Sequence, residues 1–146
     1  RRSSDLHWVL MTRDVIPDSR SKAYEDQKTL LTIYAKKSGR RYELPTALDA
    51  VTCILMEYVQ TGTNLYSDSP STYTHCQEMV KKMGYGVQSP VAIGGFDAGR
   101  LDVSISRWYD DAYCGVGGSL KFGTMVLGTW AEEWKMVFGD KTGRRI

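Results

Sequence analysis

The chain has 146 residues, 42% hydrophobic and 25% charged, with a formal charge of +2, a composition that excludes an extensively disordered or fibrous protein. Removing Arg1, Arg2, Arg144 and Arg145 leaves a charge of −2, so the basic balance resides in residues 1–4 and 141–146, which are expected to be solvated tails. No run reaches the roughly 18 apolar residues of a membrane helix, and three cysteines without a Cys-x-x-Cys pair exclude a dense disulfide framework and a structural zinc site.

One domain spanning residues 1–146 is expected at this length. An Arg1 start is compatible with removal of an upstream segment. Leu6, Trp8 and Leu10 alternate with His7, Val9 and Met11, both sets largely apolar, which predicts a first strand covered on both faces. Pro17, Asp18 and Ser19 mark a loop. A helix follows from Ser21 to about Lys37, with Ala23, Gln27, Leu30, Leu31 and Tyr34 on one stripe. Glu25 and Asp26 near its start and Lys36 and Lys37 near its end suit the helix dipole, and Gly39 stops it.

A second helix starts near Pro45 and ends at Gly62. Its body (Ala47, Leu48, Ala50, Val51, Cys53, Ile54, Leu55, Met56) is apolar nearly all round, which predicts the most buried helix of the domain. Each large side chain buried there contributes about 1.5–3 kcal/mol. Ser69-Pro70 reads as the cap and first turn of a third helix, with Tyr73, Cys76, Val80 and Met83 on its stripe and Lys81, Lys82 and Gly84 at its end.

Pro90 interrupts the apolar run 87–93 and demotes it to an edge strand or extended loop. A turn over 94–99 leads to a strand over 100–108, in which Leu101, Val103 and Ile105 face a core and Asp102, Ser104 and Ser106 face water. Asp110 to Ser119 is a glycine-rich loop. Strands over 120–129, with a bulge at Gly128, and over 133–138 close the chain around a Trp130-Ala131-Glu132 turn. The sum is an α+β fold of about three helices on a mostly antiparallel sheet of four to five strands.

Chemistry concentrates in the glycine-rich loop. Cys114 is a candidate nucleophile, and only His7 or His75 could serve as its base. Asp110 and Asp111 beside it raise rather than lower a thiol pKa. Gly115, Gly117 and Gly118 do not complete a phosphate loop, because Lys121 lies two residues past Ser119 and strand-like sequence follows. Asp111, with Asp110, Asp97 or Asp102, is a candidate acid, base or cation ligand, but adjacent carboxylates on extended backbone point apart, and a solvated acidic loop fits better. His75 is a candidate general base with an unperturbed pKa near ~6.5; lying off the helical stripe, it is expected at the surface. No cofactor is implied.

Cys53 and Cys76, on consecutive predicted helices, either form a disulfide at a Cα separation of roughly 4.4–6.8 Å or remain two buried thiols, with a Cys76–Cys114 bridge as a third arrangement. Trp108, Tyr109 and Tyr113 beside Asp110 and Asp111 form an aromatic surface suited to a protein partner. Lys36, Lys37, Arg40 and Arg41 form a basic patch next to Tyr42, without the recognition helix or stacking motif that nucleic-acid binding requires.

The order of apolar helix, glycine turn and alternating strand resembles small secreted fungal toxins and effectors built as α/β sandwiches, although the dense cysteine frameworks of such proteins are missing. The resemblance implies a secreted rather than cytoplasmic location. The leading expectation is a small non-enzymatic binding domain, effector- or toxin-like, acting through the aromatic loop. The alternatives are a small hydrolase or transferase using Cys114 or His75, and an intracellular nucleic-acid-binding regulatory domain using the basic patch.

Overall fold

The computed structural model describes residues 8–67, 69–81, 86–97, 100–105 and 112–122. Residues 9–120 form one compact unit, and residues 1–8 group with 121–146 in a second. The fold is α+β. Its elements are β1 (Trp8–Met11), α1 (Tyr24–Ser38), α2 (Ala47–Thr61), β2 (Tyr73–Lys81), β3 (Gln88–Asp97), β4 (Arg100–Ile105), β5 (Cys114–Gly115) and β6 (Ser119–Phe122). Among the described residues there are two helices and two sheets: β1 with β6, and a four-stranded sheet ordered β4-β3-β2-β5. In the latter β2–β3 and β3–β4 are antiparallel and β2–β5 is parallel.

The third helix does not form. Its residues make β2, one of the two central strands, which pairs with β3 from Tyr73↔Gly94 to Lys81↔Gln88. The residues opening it, Thr72-Tyr73-Thr74, are β-branched and aromatic, which fit a half-buried pleat better than a helix. Thr74, His75 and Cys76 are all buried, as in a strand covered on both faces. Pro90 lies in β3, which is central and not an edge. The register of β2 against β3 shifts between His75 and Met79, and that irregularity accommodates a residue with no N–H to donate.

α1 and α2 form where helical periodicity predicts them, but each starts later than expected: α1 at Tyr24 after Ala23 and not from a Ser21 cap, and α2 at Ala47 after a Thr46 cap, with Pro45 ahead of the helix. Gly39 and Gly62 end them in the left-handed conformation. Thr46 accepts a hydrogen bond from the Asp49 N–H, and Glu78 on β2 accepts one from the Ala47 N–H at 2.7 Å, so both satisfy donors at the start of α2. α2 is not covered all round in the way its apolar composition predicts; like α1, which buries Gln27 and Leu31, it buries two residues. Only Ala50 and Ile54 are buried in it, while Leu48, Leu55, Met56 and Val59 are exposed. The first strand is likewise covered less than expected, since Trp8 and Leu10 are exposed and Val9 and Met11 half-buried.

The main core gathers Val15, Ala50, Ile54, Tyr66, Cys76, Val91, Ile93 and Phe96, and a second cluster joins Ile16, Leu31 and Val116. Leu101 packs on the main core, but Val103 and Ile105, expected on the covered face of their strand, are exposed. The segment after β1 threads along the glycine-rich stretch, with Thr12 N–H donating to Gly118 O and Ile16 N–H to Val116 O. Gly117 and Gly118 are buried there, and a Cβ at Gly117 would lie 2.4 Å from the Tyr66 hydroxyl. The expected strands over 123–129 and 133–138, the turn at 130–132 and the tails at 1–4 and 141–146 lie outside the described residues.

Candidate functional site

The two catalytic candidates are brought to one place. Cys114 pairs in register with Tyr73 across the parallel β5–β2 contact, so its side chain shares a face with Tyr73 and, two residues on, His75. Gln27 of α1 lies across that face. Its amide nitrogen donates to the Ser19 carbonyl at 2.8 Å and to the Cys114 carbonyl at 3.2 Å, and its carbonyl oxygen lies 2.5 Å from His75 Nδ1. Two carbonyls can only accept, so the amide orientation is determined and Nδ1 of His75 carries the proton. Tyr24 closes the side, its ring edge-to-face with the imidazole and its hydroxyl donating to the Cys76 carbonyl at 3.0 Å.

This arrangement is sealed. His75 and Cys114 are each only 4% exposed and Gln27 is fully buried. His75 is therefore a core residue and not the surface histidine expected from a helical reading. The strand period turns it toward α1, whereas a helical period turned it away. A nucleophilic cysteine requires a partly exposed, electropositive setting, and the packing around Cys114 offers no such access. Gln27 is the residue that sequence reading missed as a polar centre. A glutamine on an otherwise apolar helical stripe was the available signal.

The thiols do not bridge. None of Cys53, Cys76 and Cys114 is in a disulfide, so of the arrangements expected the unbridged thiols are the one observed. The reason is secondary structure: Cys76 sits on a strand beneath α2 and not on a second helix facing Cys53. Burial pushes the Cys76 thiol up to about 12, with the Glu78 carboxylate adding to the shift, and burial followed by Asp49 raises Cys53.

Of the predicted aromatic surface, Tyr113 is half exposed, and Trp108, Tyr109, Asp110 and Asp111 lie outside the described residues. Asp102 accepts from the Tyr73 hydroxyl at 3.1 Å. Lys36, Lys37, Arg40 and Arg41 are all exposed around the C-terminal end of α1, where cations offset the helix dipole. Among the described residues no group of histidine, cysteine and acidic side chains could hold a metal ion, and no helix is long and apolar enough to cross a membrane.

The feature that stands apart is α2. Leu48, Thr52, Leu55, Met56 and Val59, spaced i, i+4, i+7, i+8 and i+11, share the side opposite buried Ala50 and Ile54. Leu48 is 75% and Val59 78% exposed. The charges of the helix, Asp49 and Glu57, lie off that side, and Glu57 pairs with Arg13 at 3.6 Å. An exposed helix face with four large apolar side chains and no charge marks an interaction surface. No family model, curated protein or solved structure matches the chain.

Proposed function

We propose that this chain is a non-enzymatic protein-binding domain whose contact surface is the outer face of α2. The observation that carries the reading is the exposure of Leu48, Met56 and Val59 on a helix side that carries no charge. Exposing them in an unpartnered state is unfavourable by about 25 cal/mol per Å² of apolar surface, so a partner that covers them gains that free energy. Sealing of Cys114 and His75 around Gln27 supports a structural rather than catalytic role for both. The basic end of α1 is accounted for by the helix dipole. The setting of a secreted effector or toxin-like protein belongs to this proposal through the resemblance in element order alone.

The test compares capture of protein partners on immobilised wild type and on a Leu48→Glu/Met56→Glu variant with unchanged circular dichroism. Capture is expected to be lost in that variant and kept in folded Cys114→Ala and His75→Gln variants. Capture that survives the α2 changes would overturn the reading, as would a catalytic activity abolished by Cys114→Ala.

A further inference from the structure

The outer face of α2 has a counterpart on the same molecule. Val91↔Ile105 and Ile93↔Val103 are register pairs, and cross-strand partners point to the same side of a sheet. Val91 and Ile93 are buried on the side that α2 covers, so Val103 and Ile105 also lie on that side. They are nevertheless 57% and 43% exposed: α2 lies over β2 and β3, and of the row on β4, the edge strand among the described residues, only Leu101 packs on the core. Tyr58 stacks on Phe96 of β3 at a centroid distance of 4.6 Å, and Leu55 continues that flank. The unit thus carries an apolar ridge, the crest of α2, and beside it an apolar step, the row on β4.

Resting on the binding reading above, we infer that the occupant of this surface is a second copy of the chain. In the inferred dimer the crest of one α2 (Leu48, Met56, Val59) lies on the β4 row (Val103, Ile105) of the other copy, and reciprocally. The two α2 helices then form one layer between two sheets. A two-fold axis requires a self-complementary surface, and a ridge beside a step of equal chemistry meets that requirement. The arrangement also explains why α2 is apolar nearly all round, since a helix between two sheets has two faces to bury.

Area and charge agree with this occupant. Leu48, Leu55, Met56, Val59, Val103 and Ile105 together expose roughly 600 Å² per copy, so a pair that covers them completely removes roughly 1,200 Å² from water, the lower end of stable interfaces. The acids of α2 lie off its crest, so a second copy brings no like charge against the first.

Sedimentation velocity from low micromolar to near-millimolar concentration tests the inference on the full chain. A concentration-dependent dimer is expected. Val59→Glu and Val103→Glu, on different elements, should each weaken it about tenfold or more, with circular dichroism unchanged because both sites are solvent-facing. Leu10→Glu, an exposed apolar residue outside the face, should leave it intact. A wild type that stays monomeric throughout, or a dimer indifferent to Val59→Glu or to Val103→Glu, would overturn the second copy as occupant. Either result leaves the capture experiment to decide the binding reading separately.

Discussion

Gln27 and His75, 48 residues apart in the chain, meet side chain to side chain with Oε1 and Nδ1 separated by 2.5 Å. The contact ties α1 to the centre of the larger sheet, and the same glutamine holds the Ser19 loop and β5 through two carbonyls. One polar side chain therefore joins four segments in the interior, which makes it an exacting position: each buried group left unpaired costs about 1–3 kcal/mol.

Gln27→Leu, which removes every one of these bonds, should destabilise the domain by about 2–4 kcal/mol in urea unfolding. Gln27→Glu should be comparably damaging at neutral pH, because a carboxylate cannot donate to the Ser19 and Cys114 carbonyls. An unchanged midpoint for Gln27→Glu would show that those two donor bonds contribute nothing.

Two glycines should behave differently on substitution by alanine. A Cβ at Gly94 would sit 2.1 Å from the Thr72 carbonyl oxygen at φ +157°, whereas one at Gly39, at φ +65°, meets nothing within 4 Å. Gly39→Ala should cost about 1–2 kcal/mol, the left-handed backbone penalty alone. Gly94→Ala should cost more than about 3 kcal/mol or prevent folding, because backbone must move against backbone. Thermal melts of the two variants provide the comparison.

Thiol titration should follow burial. In the native chain half-buried Cys53 should react with a disulfide reagent before the buried Cys76 and Cys114. In denaturant without reductant all three should titrate. Fewer than three would mean that a bridge forms.

Stability should decline in alkali. The Cys76 thiol is raised from 9.0 to about 12 in the folded chain, so above pH 9 the unfolded state releases a proton that the folded state retains. Its contribution is full below pH 9 and is lost progressively as pH rises toward 12, by up to about 1.4 kcal/mol per unit. The buried Tyr66 hydroxyl, also raised chiefly by burial, acts in the same direction at higher pH. Midpoints measured from pH 8 to pH 11 should fall, and the fall should be shallower in Cys76→Ala.

The local signals in the chain were sufficient for the existence of the two helices among the described residues. Acid before base along α1 and the terminal Gly39 and Gly62 act within a few residues of one another, and the structure ends α1 and α2 at those glycines. The alternation of residues 100–105 likewise appears as β4. What a single chain could not settle was the state of 73–81, where Tyr73, Cys76 and Val80 satisfy a helical spacing while pairing with β3 rewards a strand. That choice carried the rest with it. It moved His75 from surface to core, separated Cys76 from any bridge, and made Gln27 a polar centre instead of one member of an apolar stripe. Hydrophobic pattern states which side chains avoid water, and only tertiary pairing decides which of them succeed. Ala50 and Ile54 are covered by the sheet; Leu48 and Val59 are left outside because they lie on the opposite side of the same helix, and Val103 because α2 lies over β2 and β3.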